Sequence, residues 1–252
     1  MIQLHELTKR YGKFTAVNGI SLEIPAGTLY GLLGPNGAGK TTTMRMIAGI
    51  LRPTSGTVTV AGYDVVRQPM EAKQRLGFIP DRPFVYDKLT GAEFLRFVAG
   101  LYGQSGTDVE RRIDELLDLF ELIPWKNELT EAYSHGMRQK LIISSALVHR
   151  PEVIVVDEPM VGLDPKSARL LKDIFRHFVE RGGTVLMSTH TLEIAEVMCD
   201  QIGIVFGGQV VAAGTMAAIR TQTQSQAATL EEVFLKLTGG LNARELSDIL
   251  GR

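Results

Sequence analysis

The run GPNGAGKT at residues 34–41 constrains this chain more than any other part of it. It satisfies the pattern G-x-x-x-x-G-K-[ST], the P-loop, in which backbone curls around phosphate oxygens with its amides pointing inward. Gly34, Gly37 and Gly39 leave room for that curl because they carry no β-carbon, and Pro35, Asn36 and Ala38 complete the loop. Lys40 supplies a mobile positive charge for the β- and γ-phosphates, and the Thr41 hydroxyl is a ligand for Mg²⁺, with Thr42 beside it. In a chain with 26 glycines, a chance match is on the order of one in a hundred. The context lowers it further. Residues 28–33 read as an apolar strand leading in, and residues 40–51 as a helix leading out, with Met44, Ile47 and Leu51 at helical spacing before Pro53.

A second signal lies at residues 153–159, VIVVDEP, an apolar strand that ends in two acids. Alone it could be a solvated turn after a buried strand. Beside a phosphate loop it has a use, because Asp157 can reach the Mg²⁺ shell while Glu158 approaches the water that attacks the γ-phosphate. Adjacent residues on an extended chain point to opposite sides, and Pro159 is expected to keep Glu158 extended.

Composition excludes several classes of function. Twenty-seven basic against 28 acidic residues give a net charge of −1, so no basic footprint marks a nucleic-acid binder and none is expected as a partner. Cys199 is the single cysteine, which rules out an internal disulfide and fits a reducing compartment. The first residues, MIQLHELTKRYGK, lack the apolar core of a signal peptide. No apolar run approaches the roughly 18 residues of a membrane span, so the chain is expected in the cytoplasm, docking on a membrane if it works at one.

Residues 20–24, 28–33 and 57–60 read as strands. Residues 83–150 read as mostly helical, with capping boxes expected at Thr90/Glu93 and Thr107/Glu110 and an apolar face of Val109, Ile113, Leu116, Leu117 and Phe120. Strands return at 153–156 and 184–187, around a helix whose stripe is Leu170, Leu171, Ile174, Phe175 and Phe178. The alternation predicts an α/β fold with a mainly parallel sheet. We expect a core of residues 1–82 and 151–220, a helical subdomain at 83–150, and a tail at 221–252. In that tail, polar residues 221–229 read as a linker and residues 230–237 as a helix presenting Leu230, Val233, Phe234 and Leu237.

Four further segments resemble those of the ATP-binding cassette (ABC) family. Tyr133-Ser134-His135-Gly136-Met137 is similar to its signature, usually LSGGQ, and Ser134 falls 23 residues before Asp157, where that family places it. Gly162-Leu163-Asp164-Pro165 resembles its D-loop, Ser188-Thr189-His190 its switch-histidine segment, and Tyr11 the aromatic that stacks on adenine. The segments occur in the family's order over nearly the whole chain. Departures from the pattern are Tyr133, His135 and Met137 in the signature, and Asp81 in place of the glutamine expected after Phe78-Ile79-Pro80. The resemblance implies a RecA-like P-loop NTPase core with an N-terminal antiparallel β part and an inserted helical subdomain. It implies an export-type ATPase subunit on the cytoplasmic face of the membrane, below a separate integral membrane permease. Two copies would close over two ATPs and Mg²⁺, each ATP lying between Lys40 of one copy and Ser134 and Gly136 of the other. Glu158, His190, Lys40 and Asp81 would act in hydrolysis, Asp81 also reaching Mg²⁺, and residues 82–86 would receive a permease helix.

A soluble cassette ATPase acting on ribosomes or chromosomes is the rival reading, but such proteins usually carry two cassettes or long coiled-coil insertions, and this chain shows neither. An inactive regulatory cassette conflicts with the presence of Lys40, Asp157, Glu158 and His190. Lys40→Ala is expected to weaken ATP binding as well as hydrolysis, because its charge meets phosphates already in the ground state. An equilibrium ATP titration of the variant checks this, and unchanged affinity would contradict it.

Overall fold

A computed structural model describes residues 1–82, 84–160, 162–223 and 229–239. Two sheets carry the fold. The first is antiparallel, in the order β2-β1-β4-β5, built from β1 (Ile2–Tyr11), β2 (Phe14–Ile24), β4 (Ser55–Val60) and β5 (Tyr63–Asp64). The second runs β10-β9-β3-β8-β7-β6 and comprises β3 (Leu29–Leu33), β6 (Leu76–Ile79), β7 (Val153–Asp157), β8 (Thr184–Thr189), β9 (Gln201–Phe206) and β10 (Gln209–Gly214). All its pairings are parallel except that of the edge strand β10 with β9.

The nine helices of the described residues are α1 (Lys40–Ile47), α2 (Pro69–Gln74), α3 (Gly91–Leu101), α4 (Thr107–Leu119), α5 (His135–Leu147), α6 (Pro165–Glu180), α7 (Leu192–Met198), α8 (Met216–Gln222) and α9 (Leu230–Thr238). Strand alternation explains how they pack. On β7, Val153 and Val155 point into the layer shared with the antiparallel sheet and α1, whereas Ile154 and Val156 face α6 and the helices α3 to α5. Leu186 of β8 faces the first layer, and Val185 and Met187 the second. A sheet covered on both faces needs continuous apolar strands, and β3, β7 and β8 are buried at every position. A third cluster joins β9 and β10 to α7 and α9 through Ile202, Ile204, Leu230 and Val233.

This topology places the motifs. β3, β8 and β7 are neighbours and parallel, so their C-terminal ends share one sheet edge. The loop at 34–39, His190 and Glu158 all follow those ends, the usual place for a ligand crevice in an open α/β sheet.

Several local expectations need correction. The helix after the P-loop ends at Ile47, short of Leu51, because Gly49 takes φ +64° and the amides of Ile50 and Leu51 fold back on the Arg45 carbonyl. Thr90 and Glu93 do form a reciprocal capping box, but Gly106, with no side-chain cap, takes the N-cap place before Thr107. Strand β1 escaped the period-two reading because of a register shift between Leu4 and Leu7, where Glu6 adopts φ +47° and the buried face changes parity. The expected linker begins inside α8, and residues 224–228 lie outside the described residues. The expected last helix is α9, with Leu230 and Val233 buried.

Beneath α5, His149 is 5% exposed, its ring stacked on Tyr102 with centroids 3.6 Å apart. Its Nε2 donates to the Leu76 carbonyl at 3.2 Å, which fixes the neutral tautomer. Burial pushes its pKa down to about 4. A base with a depressed folded-state pKa gives stability that is complete above its unfolded pKa near 6.5 and is lost as pH falls through the folded value. Urea unfolding at pH 7 and pH 4.5 should therefore show wild type losing roughly 2–3 kcal/mol more on acidification than His149→Gln. Equal losses would remove His149 from the acid response.

Candidate functional site

The P-loop is clamped between the two sheets. A β-carbon on Gly34 would lie 2.3 Å from the Val205 carbonyl oxygen, and one on Gly39 2.5 Å from that of Ala16. Real β-carbons do not approach so closely, so both glycines are dictated by packing as well as by curl. Gly39 also takes φ +106° as the N-cap of α1, and Gly37 takes φ +81°. The Gly207-Gly208 turn between β9 and β10 braces the loop from below: Gly208 donates to the Ala38 carbonyl at 3.1 Å and accepts from the Asn18 amide at 2.8 Å.

Above the loop lies a cavity of about 360 Å³ lined by Tyr11, Asn36, Gly37, Ala38, Gly39, Lys40, Thr41, Thr42, Asp81, Asp157 and Glu158. Eleven residues singled out from sequence thus meet in one place. The Lys40 ammonium donates to the carbonyls of Gly34 at 2.6 Å and Pro35 at 3.2 Å, which holds it over the loop. Burial lowers its pKa, while Glu158 first and then Asp157 pull it back up.

The two carboxylates line the same cavity but take different hydrogen-bond partners. Asp157 is 2% exposed and accepts a hydrogen bond from the Ser188 hydroxyl. That hydroxyl in turn accepts from the Glu158 amide at 3.1 Å. Glu158 is not extended before Pro159 as predicted, since it takes φ +51°. A left-handed non-glycine residue costs roughly 1–2 kcal/mol. Ser188 on its amide and His190 on its side chain offset that cost, with His190 Nδ1 donating to Glu158 Oε1 at 2.8 Å. His190 is therefore joined to the cavity through Glu158.

Ser134 and Gly136 stand apart from this cavity. Ser134 caps α5 by accepting from the Met137 amide at 3.3 Å. The adjacent His135 ring lies against Gly162, where an added β-carbon would come within 2.5 Å of Nε2. Asp164 caps α6, and the hydrogen bonds from the Ser167 hydroxyl and amide hold its carboxyl below the usual range.

Thr41, Asp81 and Asp157 bring hydroxyl and carboxylate oxygens to one cavity, a hard donor set suited to Mg²⁺. Among the described residues no cluster of three His, Cys, Asp or Glu could hold a metal alone.

Sequence reading missed Phe14 and Ala16, which also line the cavity. The Tyr-Gly-Lys-Phe turn was a hairpin signal, and the Gly-Gly pair between the apolar runs of β9 and β10 was another. Nothing local in the sequence marks Ser188 as the bridge between the two acids, because that role depends on the pairing of Asp157 with Ser188 across β7 and β8.

A mainly parallel sheet with a phosphate loop after one strand and an acid pair two strands away defines a P-loop nucleoside triphosphatase. Residues 17–161 match the ABC transporter family. The linearmycin resistance ATP-binding protein LnrL of Bacillus subtilis is 39% identical over 85% of this chain and 69% of its own length. The daunorubicin/doxorubicin resistance ATP-binding protein DrrA of Streptomyces peucetius is 40% identical over 89% of this chain and 68% of its own. A solved structure of the ATP binding subunit of an ABC transporter superposes with a TM-score of 0.89 at 33% identity, covering 94% of this chain and 99% of that one. The chain belongs to the ABC transporter family, as an ATP-binding and ATP-hydrolysing subunit. These two relatives carry resistance names and the solved structure a transporter name, and they lend nothing to the ribosome or chromosome reading.

Glu158→Gln is expected to bind ATP yet turn it over at least ~100-fold more slowly, since general-base assistance typically contributes 10²–10⁴. Steady-state ATPase measured alongside nucleotide binding checks it, and wild-type turnover would exclude Glu158 as the base.

Proposed function

We propose that the chain works as two copies beneath a separate integral membrane permease and drives export, with each ATP held between Lys40 of one copy and Ser134 and Gly136 of the other. The observation that carries this is the separation of the signature residues from the cleft. Ser134 and Gly136 open α5, a helix start suited to phosphate, yet neither lines the cavity that holds Lys40 in the same chain. A two-fold pair completes both sites at once, because an isologous interface repeats each contact. ATP then joins the copies and its loss releases them, turning hydrolysis into motion.

Within the cleft, Tyr11 stacks on the adenine, and Lys40 with the loop residues 34–39 and Thr42 binds the phosphates. Thr41, Asp157 and Asp81 hold Mg²⁺, which when bound neutralises phosphate charge. Ser188 keeps the Asp157 carboxylate aimed, as their hydrogen bond implies. Glu158 takes the proton of the attacking water, and His190 fixes the Glu158 carboxylate through its 2.8 Å bond. Asp81, in a glutamine's place, brings an extra negative charge toward the γ-phosphate and so lowers turnover until the loop moves.

The permease surface is residues 82–86, of which residue 83 lies outside the described residues. Phe84 is 72% exposed and meets Tyr86 edge-on at 5.7 Å, while Tyr86 meets Phe97 of α3 at 5.5 Å. An exposed aromatic group of this kind suits an apolar helix. Among the described residues no helix is long and apolar enough to cross a membrane; the match to the ABC transporter family supports a peripheral place on the cytoplasmic face. Relatives named for linearmycin and daunorubicin/doxorubicin resistance support outward transport.

Reconstitution with the permease in vesicles, with ATP on the cassette side, is expected to move cargo away from the cassettes. Phe84→Ala should uncouple hydrolysis from that movement while leaving ATP affinity intact. Cargo moving toward the cassettes, or a chain that never associates with membrane protein, overturns the proposal.

A further inference from the structure

Lys9 and Tyr11 are two apart on β1 and so lie on the same side of the strand. The Lys9 ammonium sits 5.3 Å from the centroid of the Tyr11 ring, within the ~6 Å over which a cation is attracted to an aromatic face. It is not a freely swinging charge. The same ammonium donates to the Arg52 carbonyl at 2.8 Å, and the segment bearing Arg52 is itself tied to β1. The Thr54 amide donates to the Thr8 carbonyl at 2.8 Å, and the Arg10 amide to the Thr54 hydroxyl at 3.0 Å. The cation is thus fixed by a frame of backbone and side-chain bonds that includes no part of the phosphate loop.

Tyr11 has reason to need such a hold. It is 50% exposed at the turn end of the β1–β2 hairpin, across from Phe14, next to Gly12 at φ +58°. An exposed side chain at a hairpin tip samples several rotamers, and ordering one of them on binding costs affinity. A cation held on one face of the ring restricts it beforehand and leaves stacking to the other face.

We propose that Lys9 is a positioning residue for nucleotide binding, holding the Tyr11 ring ready to stack on the base. The inference rests on the reading of Tyr11 as the base-stacking aromatic. Lys9 is not among the residues that line the cavity, so it acts through Tyr11 alone. Its effect is therefore confined to ligands that have a base.

The test compares ATP with inorganic tripolyphosphate, each displacing a fluorescent ATP analogue from the whole chain in magnesium-free buffer, where no turnover occurs. Lys9→Met should weaken ATP roughly 2- to 5-fold, as expected for one exposed cation–π contact, and leave tripolyphosphate unchanged. Lys9→Arg, which keeps a cation over the ring, should bind ATP within about 2-fold of wild type, and in Mg²⁺ the kcat of both variants should match wild type. Tyr11→Ala serves as the reference for loss of stacking. If Tyr11→Ala selectively weakens ATP but Lys9→Met does not, the positioning role is overturned and the stacking role of Tyr11 stands. If Tyr11→Ala leaves the ratio of ATP to tripolyphosphate affinity unchanged, the stacking reading fails and the inference fails with it. If Lys9→Met weakens both ligands equally, Lys9 acts on the phosphate site or on folding, and the proposal is likewise overturned.

Discussion

The P-loop is wedged between two carbonyl groups that come from different sheets. Ala16 of β2 closes on Gly39, and Val205 of β9 closes on Gly34, both at distances no β-carbon tolerates. The loop therefore takes its shape only once the antiparallel and parallel sheets have come together, and the phosphate site reports that the two have docked. The large apolar layer between them, with Ile2, Ile24, Val58, Val60, Leu32 and Val155 among its buried members, supplies the driving force. Local glycine chemistry permits the curl, and burial of the sheets enforces it.

A second constraint follows from strand order. Because β8 lies between β3 and β7, the residue opposite Asp157 is Ser188, and its hydroxyl meets both the Asp157 carboxylate and the Glu158 amide. This one side chain keeps the buried acid aimed and helps hold Glu158 in a left-handed conformation that its own sequence context disfavours. Strain of that kind persists where neighbours over-determine it. Here the strained residue is the one we propose as the base for the attacking water, and His190 completes its restraint.

The signature helix follows a different logic. α5 is well capped and well packed, with Leu141, Ile142 and Ile143 buried, yet its first turn contributes nothing to the cavity of its own chain. His135, where the family usually has glycine, fills the space beside Gly162 and joins the signature to the segment that leads into α6. The geometry makes physical sense for a site shared between two copies, and it gives the helical residues a mechanical connection to the acid-bearing strand of the same chain.

Much of the fold was legible because its signals are local. GPNGAGKT implies a phosphate-binding curl, the unbroken apolar runs of β3 and β7 imply strands buried on both faces, and Thr90 with Glu93 implies a helix start. These follow from backbone sterics and hydrogen-bond satisfaction within a few residues. Where a local signal depended on distant contacts, it misled. β1 lost its alternation to a bulge at Glu6, Thr107 lost its cap to Gly106, and Pro159 failed to keep Glu158 extended. The sequence by itself determined the chemistry available, namely a lysine, two acids, a histidine and an aromatic ring in a fixed order. Tertiary structure alone decided that Ser188 bridges the acids and that Lys9 lies over Tyr11. It also decided that Phe14 and Ala16 line the cleft. Each of these requires knowing how the chain pairs and crosses beyond a residue's own segment, and that is fixed by the burial of whole sheets rather than by neighbours along the chain.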